Sequence, residues 1–309
     1  MGLPQWFHDV AKRVSNRGRW GADDEIGTLN FITPEAIKRG AACVRQGKSF
    51  SLALPLHHDG VQTGRIPKRI NPVHTMVGVN TPFTGDRDKV CLSDDMVVMG
   101  LQASTHWDGL AHASYENRIY NGFPASTVTA EAGATKCGIE KLKPIVTRGI
   151  LLDVARAKGV NRLDPGYPIR PADLDAALAL TKLEVLPGDV LLIRTGQMEH
   201  LERGDKEAYR LPAPGLTVST AEWFHARDVA AVATDTMPLE VWPGEDEEVL
   251  LPVHLLHLVE MGMTQGQNWY LDELARDCAQ DGVYEFLLSA SPEPFVGAVG
   301  SPVNPVAVK

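Results

Sequence analysis

Leu186-Pro-Gly-Asp189-Val-Leu-Leu-Ile-Arg-Thr195 is a turn running into an unbroken apolar stretch. Such a run, bounded by turn residues and too short for a helix, is a strand buried on both sides. Gly149-Ile-Leu-Leu-Asp-Val154 reads the same way. Between the two, Arg170-Pro171-Ala-Asp-Leu-Asp175 opens a helix that extends to about Leu183, with proline in its first turn. Further out, Val218–Ala226 reads as a helix and Val229–Thr234 as a third short strand ending in Asp235. Pro252–Glu260 and Leu271–Asp281 read as helices. Strands and helices interleave without the regular repeat of a barrel, and neither GxGxxG nor GxxxxGK[ST] occurs. The expectation is an α/β fold: a single mixed domain over residues 1–309, with a substantial β-sheet core flanked by helices.

Towards the amino terminus, Thr33-Pro34-Glu35 is a helix start leading into Ala36–Gln46, with Gly47 as its stop. Residues 48–56 alternate as a strand does. Residues 57–89 carry His57, His58, His74 and several Gly and Pro residues, the marks of a long functional loop. Val90–Leu101 reads as one or two strands with Asp94-Asp95 as a turn.

The chain has 309 residues, 44% hydrophobic and 22% charged, and a formal net charge of −9. A chain of this length buries roughly three quarters of its unfolded surface. The acidic balance argues against nucleic acid, whose binding relies on Lys and Arg, and against anionic membranes. No stretch has the ~20 apolar residues of a membrane span. The opening MGLPQWFHDVAKR lacks a signal-peptide pattern, and Trp6 stands where a myristoylation site needs Ser or Thr. Four dispersed cysteines (Cys43, Cys91, Cys137 and Cys278) form no CxxC pair, so reduced thiols and a cytoplasmic location are expected. No GxSxG is present, which removes a serine-hydrolase reading.

The chemistry concentrates in Gln102-Ala-Ser-Thr-His106-Trp-Asp108-Gly-Leu-Ala-His112. On a strand, positions 106 and 108 share a face, and a His and an Asp on one face can close on one divalent ion. Gln102 can point to the same face, and His112, past Gly109, falls on a following turn where it can reach the ion or act as a base. Spacing alone equally allows a hydrogen-bonded His/Asp pair that merely holds a turn.

Ser104–His112 resembles the HxGTHxDxxxH signature of the cyclase family of metal-dependent hydrolases, which includes bacterial kynurenine formamidase and isatin hydrolase. Trp20–Asn30, Ile193-Arg-Thr-Gly196, Pro252-Val-His254 and Gly300–Pro305 resemble further segments of that family, in the same order. The resemblance implies a swivelling β/β/α-like fold, with His106 and Asp108 as metal ligands and His112 as the proton-transfer residue. Two positions depart from the pattern. Gln102 replaces the first signature His, and Gln267 stands where family members often carry a Glu ligand. An amide oxygen is a weaker donor than imidazole and favours hard ions. The resemblance therefore implies one divalent ion, Mn or Zn, held by Gln102, His106, Asp108 and Gln267.

His254 corresponds to a downstream family His, either a ligand or a polar wall of the active site, and a backbone-bonded structural His is the plain alternative. Trp20 and His74 are candidate substrate-contacting residues from the flanking loops, with packing and simple exposure as the alternatives. Trp107 should pack away from the site, His257 should be structural, and Asp235 is a candidate acceptor behind the ligands. The implied activity is hydrolysis of an amide, cyclic amide or imide, or lactone of a small molecule, possibly aromatic, by metal-activated water. Two other readings stand beside it: a metal-assisted lyase or cyclase, and a degenerate member that binds a small molecule without turnover. Beyond the small-molecule substrate, the expected partner is a second copy of the chain, in a dimer or tetramer.

Overall fold

The apolar runs at 149–154 and 189–195 lie side by side at the centre of a nine-stranded sheet. The structure is a computed structural model that describes residues 2–142 and 144–309. The strands are β1 Ser49–Ser51, β2 His106–Asp108, β3 Val146–Asp153, β4 Val190–Arg194, β5 Ala231–Thr234, β6 Gln265–Gln267, β7 Glu285–Ser289, β8 Gly300–Pro302 and β9 Val306–Val308. They are ordered β1-β9-β7-β3-β4-β5-β6-β2-β8. The inner block β3-β4-β5-β6 is parallel, and every pairing outside it is antiparallel.

Residues of β3, β4 and β5 alternate between two apolar layers. Ile150, Leu152, Leu191, Ile193 and Val232 face one layer, and Leu151, Leu192 and Ala233 face the other. Burial on both faces explains why these strands read as continuous apolar runs. Helices α1 Gln5–Val14, α3 Pro171–Thr181 and α4 Ser219–His225 cover the first face through Phe7, Val14, Leu174, Ala177 and Phe224. Helix α5 Asp272–Asp281 covers the second through Leu274 and Cys278. The mixed α/β architecture is the expected one.

Three expectations near the amino terminus need correction. Helix α2 spans Pro34–Ala41 rather than continuing to Gln46. Its start is as expected, with Thr33 Oγ1 accepting from the Ala36 N–H at 3.3 Å. Its early end follows from the sheet, because Gln46 and Lys48 donate to the Lys309 carbonyl at 3.1 and 3.3 Å, which straightens the chain. The strand expected over 48–56 shrinks to β1, since Leu54 N–H goes to the Thr105 hydroxyl at 2.9 Å instead of a ladder.

The third correction concerns residues 57–101. The long loop expected over 57–89 contains a strand, and Val90–Leu101 holds one strand with no turn at Asp94-Asp95. Val73–Pro82 and Cys91–Val98 pair as an antiparallel hairpin that stands apart from the main sheet. Asp94 and Asp95 lie within its second strand, opposite Gly78 and Met76, where register shifts absorb the extra residues.

Candidate active site

Strand β2 is three residues long and completely buried. It is held between two later strands, with Asp108 opposite Gln265 of β6 and Gly300 of β8, and His106 opposite Gln267 and Pro302. Directly opposed residues share a face, so His106, Asp108, Gln265 and Gln267 project together. Trp107 projects the other way, meeting Trp269 edge-on at 4.8 Å and donating its indole N–H to the Ala290 carbonyl at 2.7 Å. Gly266 makes room for that stack: a Cβ there would lie 2.6 Å from Trp269 Nε1 and 2.7 Å from Ala233 Cβ. Gly300 does the same on the site face. A Cβ at 300 would lie 2.5 Å from Gln102 Nε2, so the Gln102 side chain rests on this bare backbone beside Asp108.

Hydrogen bonds fix the direction of His106, Gln265, Gln267 and His254 around Asp108. His106 Nδ1 lies 2.8 Å from the Ser104 carbonyl. A carbonyl only accepts, so Nδ1 carries the proton and Nε2 presents its lone pair. That Nε2 is 3.3 Å from Asp108 Oδ1. Both atoms are buried and neither has a hydrogen-bond partner. Two acceptors facing each other without a donor call for a cation between them.

The other carboxylate oxygen is satisfied. Asp108 Oδ2 accepts from Gln267 Nε2 at 2.6 Å and from Gln265 Nε2 at 3.2 Å. Each amide is oriented by a histidine behind it. Gln265 Oε1 accepts from His257 Nδ1 at 3.2 Å. Gln267 Nε2 also lies 3.3 Å from His254 Nε2, while His254 Nδ1 donates to Glu240 Oε1. Glu240 in turn accepts from the backbone N–H groups of Val253 (3.1 Å) and His254 (3.0 Å). His254 ends the short helix Pro252–His254, which continues as a π-helical turn over Leu255–Met261, a form often found at functional sites.

Charge follows geometry. Burial would raise the Asp108 carboxyl, but His112, His106 and His254 around it hold it well below the usual carboxylate range. Burial pushes the His112 imidazole down despite Asp108. His254 is pulled down by burial, yet its bond to Glu240 and the charges of Glu240 and Asp108 leave it raised. His257, fully buried and edge-on to Phe224 at 5.7 Å, is lowered to about 3 by burial and by neighbouring His254.

His112 follows β2 on a turn, its Nε2 3.6 Å from Asp108 Oδ1. Its side chain is 21% exposed, whereas those of His106 and Asp108 are closed off completely. A cavity of about 450 Å³ reaches Thr105 and Pro302, the chain neighbour and strand partner of His106. A cavity of about 560 Å³ between Asp153, Arg156, Arg194 and Arg276 lies away from this cluster.

The structure thus brings together Gln102, His106, Asp108, His112, His254 and Gln267. Trp20 and His74 do not join them. Trp20 packs edge-on against Phe31 at 5.1 Å with Arg19 over its ring, and His74 sits on the exposed hairpin beside Asp95 at 2.8 Å. Asp235 accepts from Thr195 Oγ1 (2.7 Å) and Gly196 N–H (2.8 Å), clasping the end of β4. Burial and Asp272 raise it to about 6. It touches the cluster only remotely: Tyr209 donates to the Asp235 carbonyl (3.3 Å) and to Asn268 Oδ1 (2.8 Å), and Asn268 donates to the Ser104 carbonyl at 3.0 Å.

Glu240 and Gln265 were not foreseen. Gln265 was within reach, because a site-facing Gln267 on a strand places residue 265 on the same face.

His106 Nε2 and Asp108 Oδ1 are two facing donors that a metal ion could bridge. Among the described residues, no group of three or more His, Cys, Asp and Glu side chains is arranged to hold a metal. An ion between His106 and Asp108 would have to draw on amide oxygens as well.

The family model described as "Putative cyclase" matches residues 50–241. A crystal structure described as a novel cyclase is 42% identical, with 96% of this chain and all of the other covered at a TM-score of 0.87. Isatin hydrolase A from Labrenzia aggregata, bound to benzyl benzoate, is 16% identical with 86% and 94% covered and a TM-score of 0.63. A protein from Bacillus stearothermophilus described as a predicted metal-dependent hydrolase is 14% identical, with 85% and 98% covered and a TM-score of 0.55. No curated protein matches the chain. With a family model spanning well over half its length and a close structural relative along nearly all of it, the chain belongs to the cyclase family.

Proposed function

We propose that this chain is a metal-dependent hydrolase that opens an amide, a cyclic amide or imide, or a lactone in a small molecule. One observation carries the reading: His106 Nε2 and Asp108 Oδ1 face each other at 3.3 Å, buried, with no proton donor between them. His106 and Asp108 would hold the ion, with the amide oxygens of Gln102 and Gln267 as the further protein ligands. We take the ion as Mn or Zn, with Mn favoured by the amide donors.

A bound divalent ion supplies Lewis acidity, polarising a carbonyl and acidifying water. The chain's residues do the rest. Asp108 is held ionised by the surrounding histidines and kept in register by Gln265 and Gln267. His112 is lowered by burial and hence neutral near pH 7, and it is the most exposed of the clustered histidines. It accepts the proton of the attacking water and returns it to the leaving nitrogen or oxygen as the C–N or C–O bond breaks. His254 acts through Gln267, fixing which way that amide points.

Elemental analysis of the protein purified without chelator tests this, with His106→Ala in parallel. About one Mn or Zn per chain, lost in the variant, supports the site, and turnover of amides, imides or lactones with water oxygen in the product supports hydrolysis over a lyase. A chain that binds neither Mn²⁺ nor Zn²⁺ when offered them would favour a second reading. The amides Gln102 and Gln267, at positions where the family pattern has His and Glu, suit a protein that kept the pocket and lost turnover.

A further inference from the structure

The cavity of about 560 Å³ that lies away from the His106–Asp108 cluster is unevenly charged. It sits where β3 ends at Asp153, β4 ends at Arg194 and α5 begins at Asp272. Arg194 takes up both carboxylates. Its Nη1 donates to Asp153 Oδ1 at 3.1 Å, and its Nε and Nη2 donate to Asp272 Oδ1 at 2.9 and 2.6 Å. The Arg194 side chain is only 14% exposed, so these three groups form a fixed floor. Arg156 and Arg276 complete the charged lining. Three arginines against two aspartates leave one positive charge over.

That surplus stands out in a chain with nine more acidic than basic residues. Twelve of its eighteen arginines pair with a carboxylate among the described residues. Arg156 and Arg276 belong to the six that do not, and they share one cavity. Both are tethered by the floor. The Arg156 backbone N–H donates to Asp153 Oδ1 at 2.9 Å, and Arg276 Nε donates to the Asp272 carbonyl at 3.3 Å. Their terminal nitrogens are left for an anion, which a guanidinium fork can hold in two parallel bonds. The other walls include Val160, Leu180, Ala275 and Ala279, and Val160 and Leu180 are 46% and 41% exposed. An inorganic ion leaves those walls wet, whereas an anion with an apolar body covers them. The volume is that of a small-molecule site.

We propose that this cavity is a second ligand site, separate from the candidate active site, and that it takes an organic carboxylate with a compact apolar body. Arg156 and Arg276 bind the carboxylate, and Val160, Leu180, Ala275 and Ala279 cover the body. Arg194 does not bind the ligand directly. By joining Asp153 to Asp272 it locks the ends of β3 and β4 to the start of α5, and so sets the spacing of the two free arginines. On the hydrolase reading, on which this last step alone rests, the acid released from an amide or lactone is a molecule of this class, which makes the cavity a site for product.

The test is a ligand-observed NMR titration of benzoate against the full chain at fixed ionic strength. Benzoate is expected to bind with a Kd on the order of 1 mM or tighter. Acetate offers the carboxylate without the body and should compete about 10-fold less well, and inorganic phosphate should also compete poorly. Arg156→Ala and Arg276→Ala should each weaken benzoate about 10-fold, and the double variant should lose it with an unchanged circular dichroism spectrum. Val160→Asp should weaken benzoate as well. The His106→Ala chain should bind benzoate as the wild type does. Absence of binding to the wild type overturns the proposal. Binding that survives the double arginine variant, or that disappears in His106→Ala, places benzoate elsewhere and overturns it too. Equal affinity for benzoate, acetate and phosphate reduces the cavity to a basic patch without a ligand class. None of these readings needs bound metal or turnover, so failure here is separable from failure of the hydrolase reading.

Discussion

The block formed by β6, β2 and β8 and the arm formed by residues 73–98 break the same rule in opposite directions. The block buries His106, Asp108, Gln265, Gln267, Glu240 and His254. The arm exposes valines and methionines. Burying polar groups is costly unless each finds a partner, and the block meets the condition almost throughout, through the two relays His257–Gln265–Asp108 and Glu240–His254–Gln267–Asp108. Four buried atoms of the cluster lack a partner, His106 Nε2, Asp108 Oδ1, His112 Nδ1 and His257 Nε2, and the first two, facing each other at 3.3 Å, are the informative pair. The arm fails everywhere at once. Two unsatisfied acceptors that face each other point to a missing charge, whereas the arm's exposed apolar groups are spread over both of its faces.

The largest expected effect tests the first half of that contrast. Asp108→Asn should abolish ion retention, read by elemental analysis, while Val79→Asp on the arm should retain the ion; an Asp108→Asn chain that kept a full complement would reduce the block to a structural network. His112→Asn should keep the ion and lose roughly 10²–10⁴-fold in kcat on any amide or lactone found to turn over. Loss of the ion instead would make His112 a ligand.

Next comes Gln265→Leu, which removes one donor to Asp108 Oδ2 without touching the unpaired oxygen. Metal affinity should fall about 10–100-fold, as for other groups that orient ligands, measured by competition with a chelator. Asp235, buried nearby but outside the cluster, should act on stability alone. Its carboxyl is raised to about 6, so the folded state holds its proton more tightly than the unfolded state. Its contribution is most favourable below the ordinary aspartate value and declines as pH rises to about 6, by roughly 3 kcal/mol. Urea unfolding of Asp235→Asn should lack that decline between pH 4 and 6.

The smallest effects separate core from arm. Gly266→Ala should cost about 1–3 kcal/mol through overpacking against Trp269 and Ala233. Val79→Ala on the arm should shift the unfolding of a single chain by no more than about 0.5 kcal/mol.

The same contrast decides what could be read from the residues alone. β3, β4 and β5 were legible because burial on both faces leaves an unbroken apolar signature. The site strand was legible for a different reason: its polar residues sit at period two, and the surrounding motif resembles a known family. The arm was misread because no core lies under it to impose an alternation, so its Gly, Pro and Asp residues looked like loop punctuation. α2 was drawn too long because its end is set by hydrogen bonds to Lys309, more than 250 positions away, which local pattern cannot register. Glu240 escaped for a similar reason: nothing near it in sequence announces a histidine partner fourteen residues on.

The position of β2 between β6 and β8 has a consequence in time. Both neighbours are made after it, and Gly300, the seat of Gln102, is translated about 190 residues later than Asp108. At typical synthesis rates that interval is about 10–40 s. A nascent chain therefore carries His106 and Asp108 without their walls for most of its production, and the centre closes only when the last strands slide in beside them. An ion held as proposed would load only after those strands are in place.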